Sequence, residues 1–148
     1  ALDRLIAVGQ SPHGAMRDIA AYGENSTKAR FADGVGPDGT PWKPSWRVQA
    51  RGGKTLIDSG RLLGSITADS GDDFAEWGSN AIYAAIQQFG GEIRAKTAKA
   101  LFFKSPDGSG RSMKKVTIPP RPYLGINADD EENIIDIVNS HLADAVNI

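Results

Sequence analysis

The sequence predicts an α+β domain, and three observations point there. Helical stripes recur near both ends of the chain, at Met16, Ile19, Ala20, Tyr22, Thr27 and Phe31 and again at Ile134, Ile135, Val138, His141, Leu142, Ala145 and Val146. Between them lie short, partly alternating runs set around polar turns. At 148 residues the chain has the usual size of one domain with a moderate core. The expected organisation is therefore a single domain over residues 1–148. A mostly antiparallel sheet carries N-terminal, central and C-terminal helices packed on it.

In chain order, residues 15–32 read as an amphipathic helix weakened by Gly23. The helical pattern stops at Gly34. Gly36-Pro37-Asp38-Gly39 is a turn, because Pro presets φ at its second position and Gly tolerates positive φ. A long irregular loop to residue 53 follows and holds Trp42 and Trp46. Asp58 or Ser59 is placed to cap one or two helical turns over residues 60–66. Residues 65–69 and 74–78 form a hairpin around Ser70-Gly71-Asp72-Asp73, where the sheet begins. Asn80 caps a central helix running to Phe89, which Gly90-Gly91 ends, and Tyr83 and Phe89 are expected in the core. Residues 93–104 and 111–118 are the arms of a long hairpin or a flexible loop whose tip is 105–110. The final helix opens on Asp129, Asp130, Glu131 and Glu132, which complement the positive end of its dipole.

Formal net charge is -1 and the pI about 6.1, so no global field directs the chain to nucleic acid or to an anionic membrane. Cysteine is absent, which excludes a disulfide scaffold and a thiolate metal site and fits a reducing compartment. No apolar run approaches the ~18 residues of a membrane helix, and no basic, apolar, small-residue signal pattern opens the chain. The reading is of a soluble protein without a membrane partner. The opening at Ala1, inside a stretch with Leu2, Leu5, Ile6 and Val8, is what a processed or incomplete start would leave.

Charge is distributed unevenly. Residues 91–117 hold Arg94, Lys96, Lys99, Lys104, Arg111, Lys114 and Lys115 against Glu92 and Asp107, a formal +5. Residues 127–148 hold Asp129, Asp130, Glu131, Glu132, Asp136 and Asp144 with no Lys or Arg, a formal -6. Complementary segments of this kind allow head-to-tail association of identical subunits, the interface type that closes into rings. Folding of the basic arm onto its own acidic helix, or plain solvation of both, is the competing reading.

Two segments carry most of the functional signal: residues 81–91, a Gly-terminated helix with aromatic side chains, and Ile118-Pro119-Pro120-Arg121-Pro122-Tyr123-Leu124-Gly125, a Pro-locked extended stretch. Arg121, held between prolines, is set for a bidentate carboxylate contact within the chain or across subunits. Trp42 and Trp46 are either interface anchors or staples for their own loop. A reaction centre is hard to find. The histidines are His13 and His141, the latter a structural residue on a helix stripe, and no Gly-x-Ser-x-Gly or phosphate-binding glycine loop occurs. Residues 129–132 lack the alternating spacing and turn glycine of a calcium loop. No metal or cofactor is expected. The rival to an assembly protein is a nucleic-acid-binding module, in which the basic arm contacts phosphates and Phe102 and Phe103 stack on bases. Both Phe exposed would favour that reading, and both packed inward would make the arm scaffold.

The blocks 36–44, 56–62, 77–80, 82–91 and 118–125, preceded by Phe31, stand in an order and spacing that resembles the virion morphogenesis family of Mu-like and P2-like tailed phages, often called tail completion proteins. The resemblance covers nearly the whole chain. Gln87 departs from it, since the family often has His before Gln-Phe-Gly. The resemblance implies a small α+β subunit of the head–tail connection, similar to neck and tail-terminator proteins. It implies ring assembly with sixfold order, other neck and tail proteins as partners, passing DNA as a non-specific contact, assembly in the host cytoplasm and no turnover chemistry.

Overall fold

The computed structural model describes residues 1–105 and 107–146. Its elements run α1 (Leu2–Gln10), α2 (His13–Asp33), α3 (Trp46–Arg51), α4 (Arg61–Gly64), β1 (Ile66–Ser70), β2 (Ala75–Ser79), α5 (Ala84–Phe89), β3 (Gly91–Arg94), β4 (Leu101–Lys104), β5 (Gly110–Met113), β6 (Lys115–Ile118) and α6 (Ala128–Val146). The class is α+β and the pairing of these strands is antiparallel throughout. The strands form three two-stranded ladders, β1-β2, β3-β6 and β4-β5. The long hairpin is thus a nested one: β4 and β5 continue beyond β3 and β6 after an interruption at residues 95–100 and at Lys114. Pro106, in the 105–110 tip, lies outside the described residues. Among the described residues no helix is long and apolar enough to cross a membrane.

The chain divides into two compact units. The first comprises residues 1–29, 66–79 and those from Ile126 onwards; the second comprises Arg30–Ser65 and Asn80–Gly125. In the first, α1 packs against α6, and Ala15, Ile19, Ala20 and Ile66 are buried. Gly23, which weakens α2 by propensity, has a packing reason: a Cβ there would come within 2.2 Å of the Trp77 indole. The start of α6 is tied down by a reciprocal cap. Asp130 N–H donates to Asn127 Oδ1 at 2.8 Å, and Asn127 N–H donates to Asp130 Oδ2 at 2.9 Å. Asp130 is buried and its Oδ1 also accepts from Tyr22 Oη at 2.9 Å and Ser26 Oγ at 2.7 Å. A buried carboxylate is tolerated because its lone pairs are so used. His141 is the structural histidine expected, with Nε2 2.7 Å from Asp18 Oδ2.

The second unit is organised around an aromatic trio. Phe31 meets Trp42 edge-on at 5.4 Å between centroids and Tyr123 at 5.3 Å, contacts worth about 0.5–1.5 kcal/mol each beyond area burial. Trp42 Nε1 donates to the Pro122 carbonyl at 2.7 Å, and Tyr123 Oη donates to the Ala84 carbonyl at 3.2 Å. Burial raises the Tyr123 pKa above its ordinary value. Arg30 Nη1 donates to the carbonyls of Tyr123 and Gly125 at 3.1 and 2.8 Å.

Several local expectations are corrected. The loop after Trp42 contains α3, capped by Ser45, whose side chain accepts from Val48 N–H at 3.3 Å, and ended by Gly52 at φ 71°. Neither Asp58 nor Ser59 caps α4; Gly60 does so in a left-handed conformation. Asn80 lies outside α5, which begins after Tyr83 without a side-chain cap. Tyr83 and Phe89 are not core: they are 43% and 77% exposed. The inward face of this short helix, at i, i+3 and i+4 spacing, is taken instead by Ala84, Gln87 and Gln88.

Candidate functional site

The second unit carries a cleft of about 900 Å³. One wall comes from the segment around α3, with Pro44, Trp46, Arg47 and Leu56; another comes from α5 and the residue before it, with Tyr83 and Gln87. The third is the inner face of the nested hairpin, with Ile93, Leu101, Phe103 and Val116. Strand alternation explains that face. Ile93 pairs with Val116 across β3-β6, so both point to the same side, while Glu92, Arg94 and Lys115 point to the other.

Leu56 sits in the cleft wall at φ +65°, an uncommon and strained conformation for a bulky residue. Arg47 braces that wall. Its Nη2 donates to the Lys54 and Ile57 carbonyls at 2.6 and 2.8 Å, and its Nε lies 3.5 Å from Asp58 Oδ1. Trp46, 46% exposed, lies against Phe103 with ring centroids 5.4 Å apart. At the floor, Arg121 is only 7% exposed. It makes no carboxylate contact among the described residues; Nε donates to the Lys43 carbonyl at 2.7 Å, and its backbone N–H donates to the Gln87 carbonyl at 2.7 Å. The proline-flanked Arg is therefore held by backbone oxygens, and burial lowers its pKa from the ordinary guanidinium value. Gln87 Oε1 is buried with no hydrogen-bond partner.

The remaining sequence candidates fall into two groups. Trp42 and Asp130 are buried, whereas Asp129, Glu131 and Glu132 are exposed on the first turn of α6. Arg94, Lys96, Lys99, Lys104, Arg111, Lys114 and Lys115 are all exposed along the hairpin. Arg94 and Lys115 stand directly opposite each other, and Glu92 separates the like charges: it pairs with Lys115 Nζ at 3.0 Å and with Arg94, and its pKa is lowered by these bonds. Phe102 and Phe103 divide between the two faces of β4, Phe102 81% exposed and Phe103 turned to Trp46. Leu56, Arg47 and Gln87, which shape the cleft, were not among the candidates. Ser45 and Gly52, a cap and a stop around six residues, were the legible signal for α3 and hence for Arg47.

Among the described residues no group of His, Cys, Asp or Glu is arranged to hold a metal ion. The site is a recess with apolar walls and a cationic floor.

Residues 1–143 match the phage virion morphogenesis family. The chain is 32% identical over 142 residues to "Mu-like prophage FluMu G protein 2" of Haemophilus influenzae, covering 95% of this chain and 86% of that one. It is 33% identical over 139 residues to "Putative capsid assembly protein G" of Escherichia phage Mu, covering 88% and 79% respectively. No solved structure matches it. The chain belongs to the phage virion morphogenesis family, and its role is a structural or assembly role in making the phage particle.

Proposed function

We propose that this protein is a structural component of the head–tail connection, of the tail completion, neck or tail-terminator kind. It assembles as a ring of identical subunits that joins or caps the tail, and it works by geometry, without turnover. The observation that carries the reading is family membership over residues 1–143 in a chain whose basic hairpin and acidic α6 are both exposed and opposite in charge. Its partners are further copies of itself and the neighbouring neck and tail proteins, at the junction of the virion. In phage lysates lacking the protein, electron microscopy should find filled heads and separate tails. Normal complete particles in its absence would overturn the proposal.

A second contact has its own support. Seven exposed cations and the exposed Phe102 ring lie on one hairpin, which suits non-specific contact with DNA passing through such a ring. Replacing the seven with Gln should remove any oligonucleotide binding that falls steeply with salt. Binding left unchanged would assign it elsewhere.

A further inference from the structure

The cleft of the second unit presents a cation that meets no carboxylate among the described residues. Arg121 at its floor is 7% exposed, and of its guanidinium only Nε has a hydrogen-bond partner among the described residues. The other two nitrogens remain accessible at the cleft, where a carboxylate can meet them in the bidentate geometry that suits a guanidinium. The lining as a whole is cationic, with Lys43, Arg47, Arg61 and Arg121 against Asp58, which Arg47 already pairs. The walls are apolar, and Leu56 is held in a strained conformation within them. The occupant that fits is a segment with an apolar stripe, carboxylates at its edge and no positive charge.

The chain itself has such a segment. On α6, Ile135, Leu142 and Val146 are exposed, Ile135 by 58%. With Glu131 they fall at i, i+4, i+11 and i+15, on one face of the helix. The stripe from Ile135 to Val146 spans about 16 Å at 1.5 Å per residue. Glu131 and Glu132 stand one turn before Ile135, both exposed, and α6 has no Lys or Arg. The apolar stripe of α1, with exposed Leu2 and Ile6, is the weaker match, because α1 carries Arg4 and a lone carboxylate, Asp3.

We infer that the cleft between α3, α5 and the nested hairpin is the receiving site for α6 of a second copy, with Ile135 and Leu142 on the apolar walls and Glu131 or Glu132 reaching Arg121. The contact is heterologous, cleft to helix, so each copy offers both halves and the chain of contacts closes into a ring or extends. It rests on the self-association reading above and names the surfaces that reading requires.

The chain has no cysteine, so paired single-cysteine variants test the contact directly. Ser59→Cys is a conservative change at an exposed position lining the cleft; Ile135→Cys lies on the proposed face of α6, and Asp144→Cys lies on the opposite side of the helix. Mixed and oxidised, Ser59→Cys and Ile135→Cys should give a disulfide-linked heterodimer, and Ser59→Cys with Asp144→Cys should not. Glu131→Gln with Glu132→Gln, both exposed and leaving Asp129 and Asp130 to complement the α6 dipole, should lower the cross-link yield about tenfold. Native mass spectrometry of the same samples separates the failures. An oligomer without this cross-link overturns the cleft–helix contact and leaves self-association standing. A strict monomer without cross-link overturns both, and a cross-link formed within one chain carrying both cysteines, with no intermolecular product, shows α6 to be the cleft's own cover and overturns the proposal.

Discussion

Gln88 and Leu124 hold each other by two hydrogen bonds: Gln88 Nε2 donates to the Leu124 carbonyl at 3.0 Å, and Gln88 Oε1 accepts the Leu124 N–H at 3.0 Å. The same Oε1 accepts the Tyr123 N–H at 2.9 Å. One side-chain amide on α5 thus satisfies the backbone of the proline-locked segment, which has no strand partner of its own, and fixes Arg121 over the cleft floor.

Removing that amide should be costly. Gln88→Ala deletes three hydrogen bonds and strands two backbone donors, so a loss of about 2–4 kcal/mol in unfolding free energy is expected from urea titration. Gln88→Glu keeps the acceptor but turns a carboxylate oxygen towards the Leu124 carbonyl, and it should also destabilise. A midpoint unchanged in both would show that the amide does not hold the segment.

Two glycines in helices should respond oppositely to the same substitution. Gly9→Ala in α1 meets open space and should be neutral or gain up to about 1 kcal/mol from helix propensity. Gly23→Ala in α2 places a methyl 2.2 Å from the Trp77 ring and should lose about 1–3 kcal/mol by overpacking. Thermal melts of the two variants read the contrast, and Trp77 fluorescence should shift only in the second.

Asp18 predicts a small acid dependence. Its hydrogen bond to His141, and then that to Arg17, lower its pKa below the ordinary carboxylate value. A carboxylate depressed in the folded state contributes stability that is complete above its unfolded pKa and is lost as pH falls through the folded value. Because the group is largely exposed, the contribution is below about 1 kcal/mol. As pH falls below about 4 the wild type should therefore lose slightly more stability than Asp18→Asn.

Much of this fold was legible in the sequence, for identifiable reasons. Both long helices and the β1-β2 hairpin follow from periodicity and turn chemistry, and the charge runs mark the hairpin and α6. The misplaced caps share one cause: Asp58, Ser59 and Asn80 are good capping residues, but α4 and α5 are too short for a cap to decide where they begin. Tyr83 and Phe89 were misplaced because hydrophobicity does not report where backbone hydrogen bonds go. The inward face of α5 went to Gln87 and Gln88, whose bonds reach residues more than 30 positions away. The cleft was illegible for the same reason, since Leu56, Gln87, Ile93 and Arg121 come together only through that long-range pinning.

The central claim, a self-assembling subunit of the head–tail junction, is tested most directly by native mass spectrometry of the purified protein across a concentration series. A closed oligomer of one stoichiometry, growing at the expense of monomer as concentration rises, is the predicted result. A monomer persisting at every concentration would contradict it.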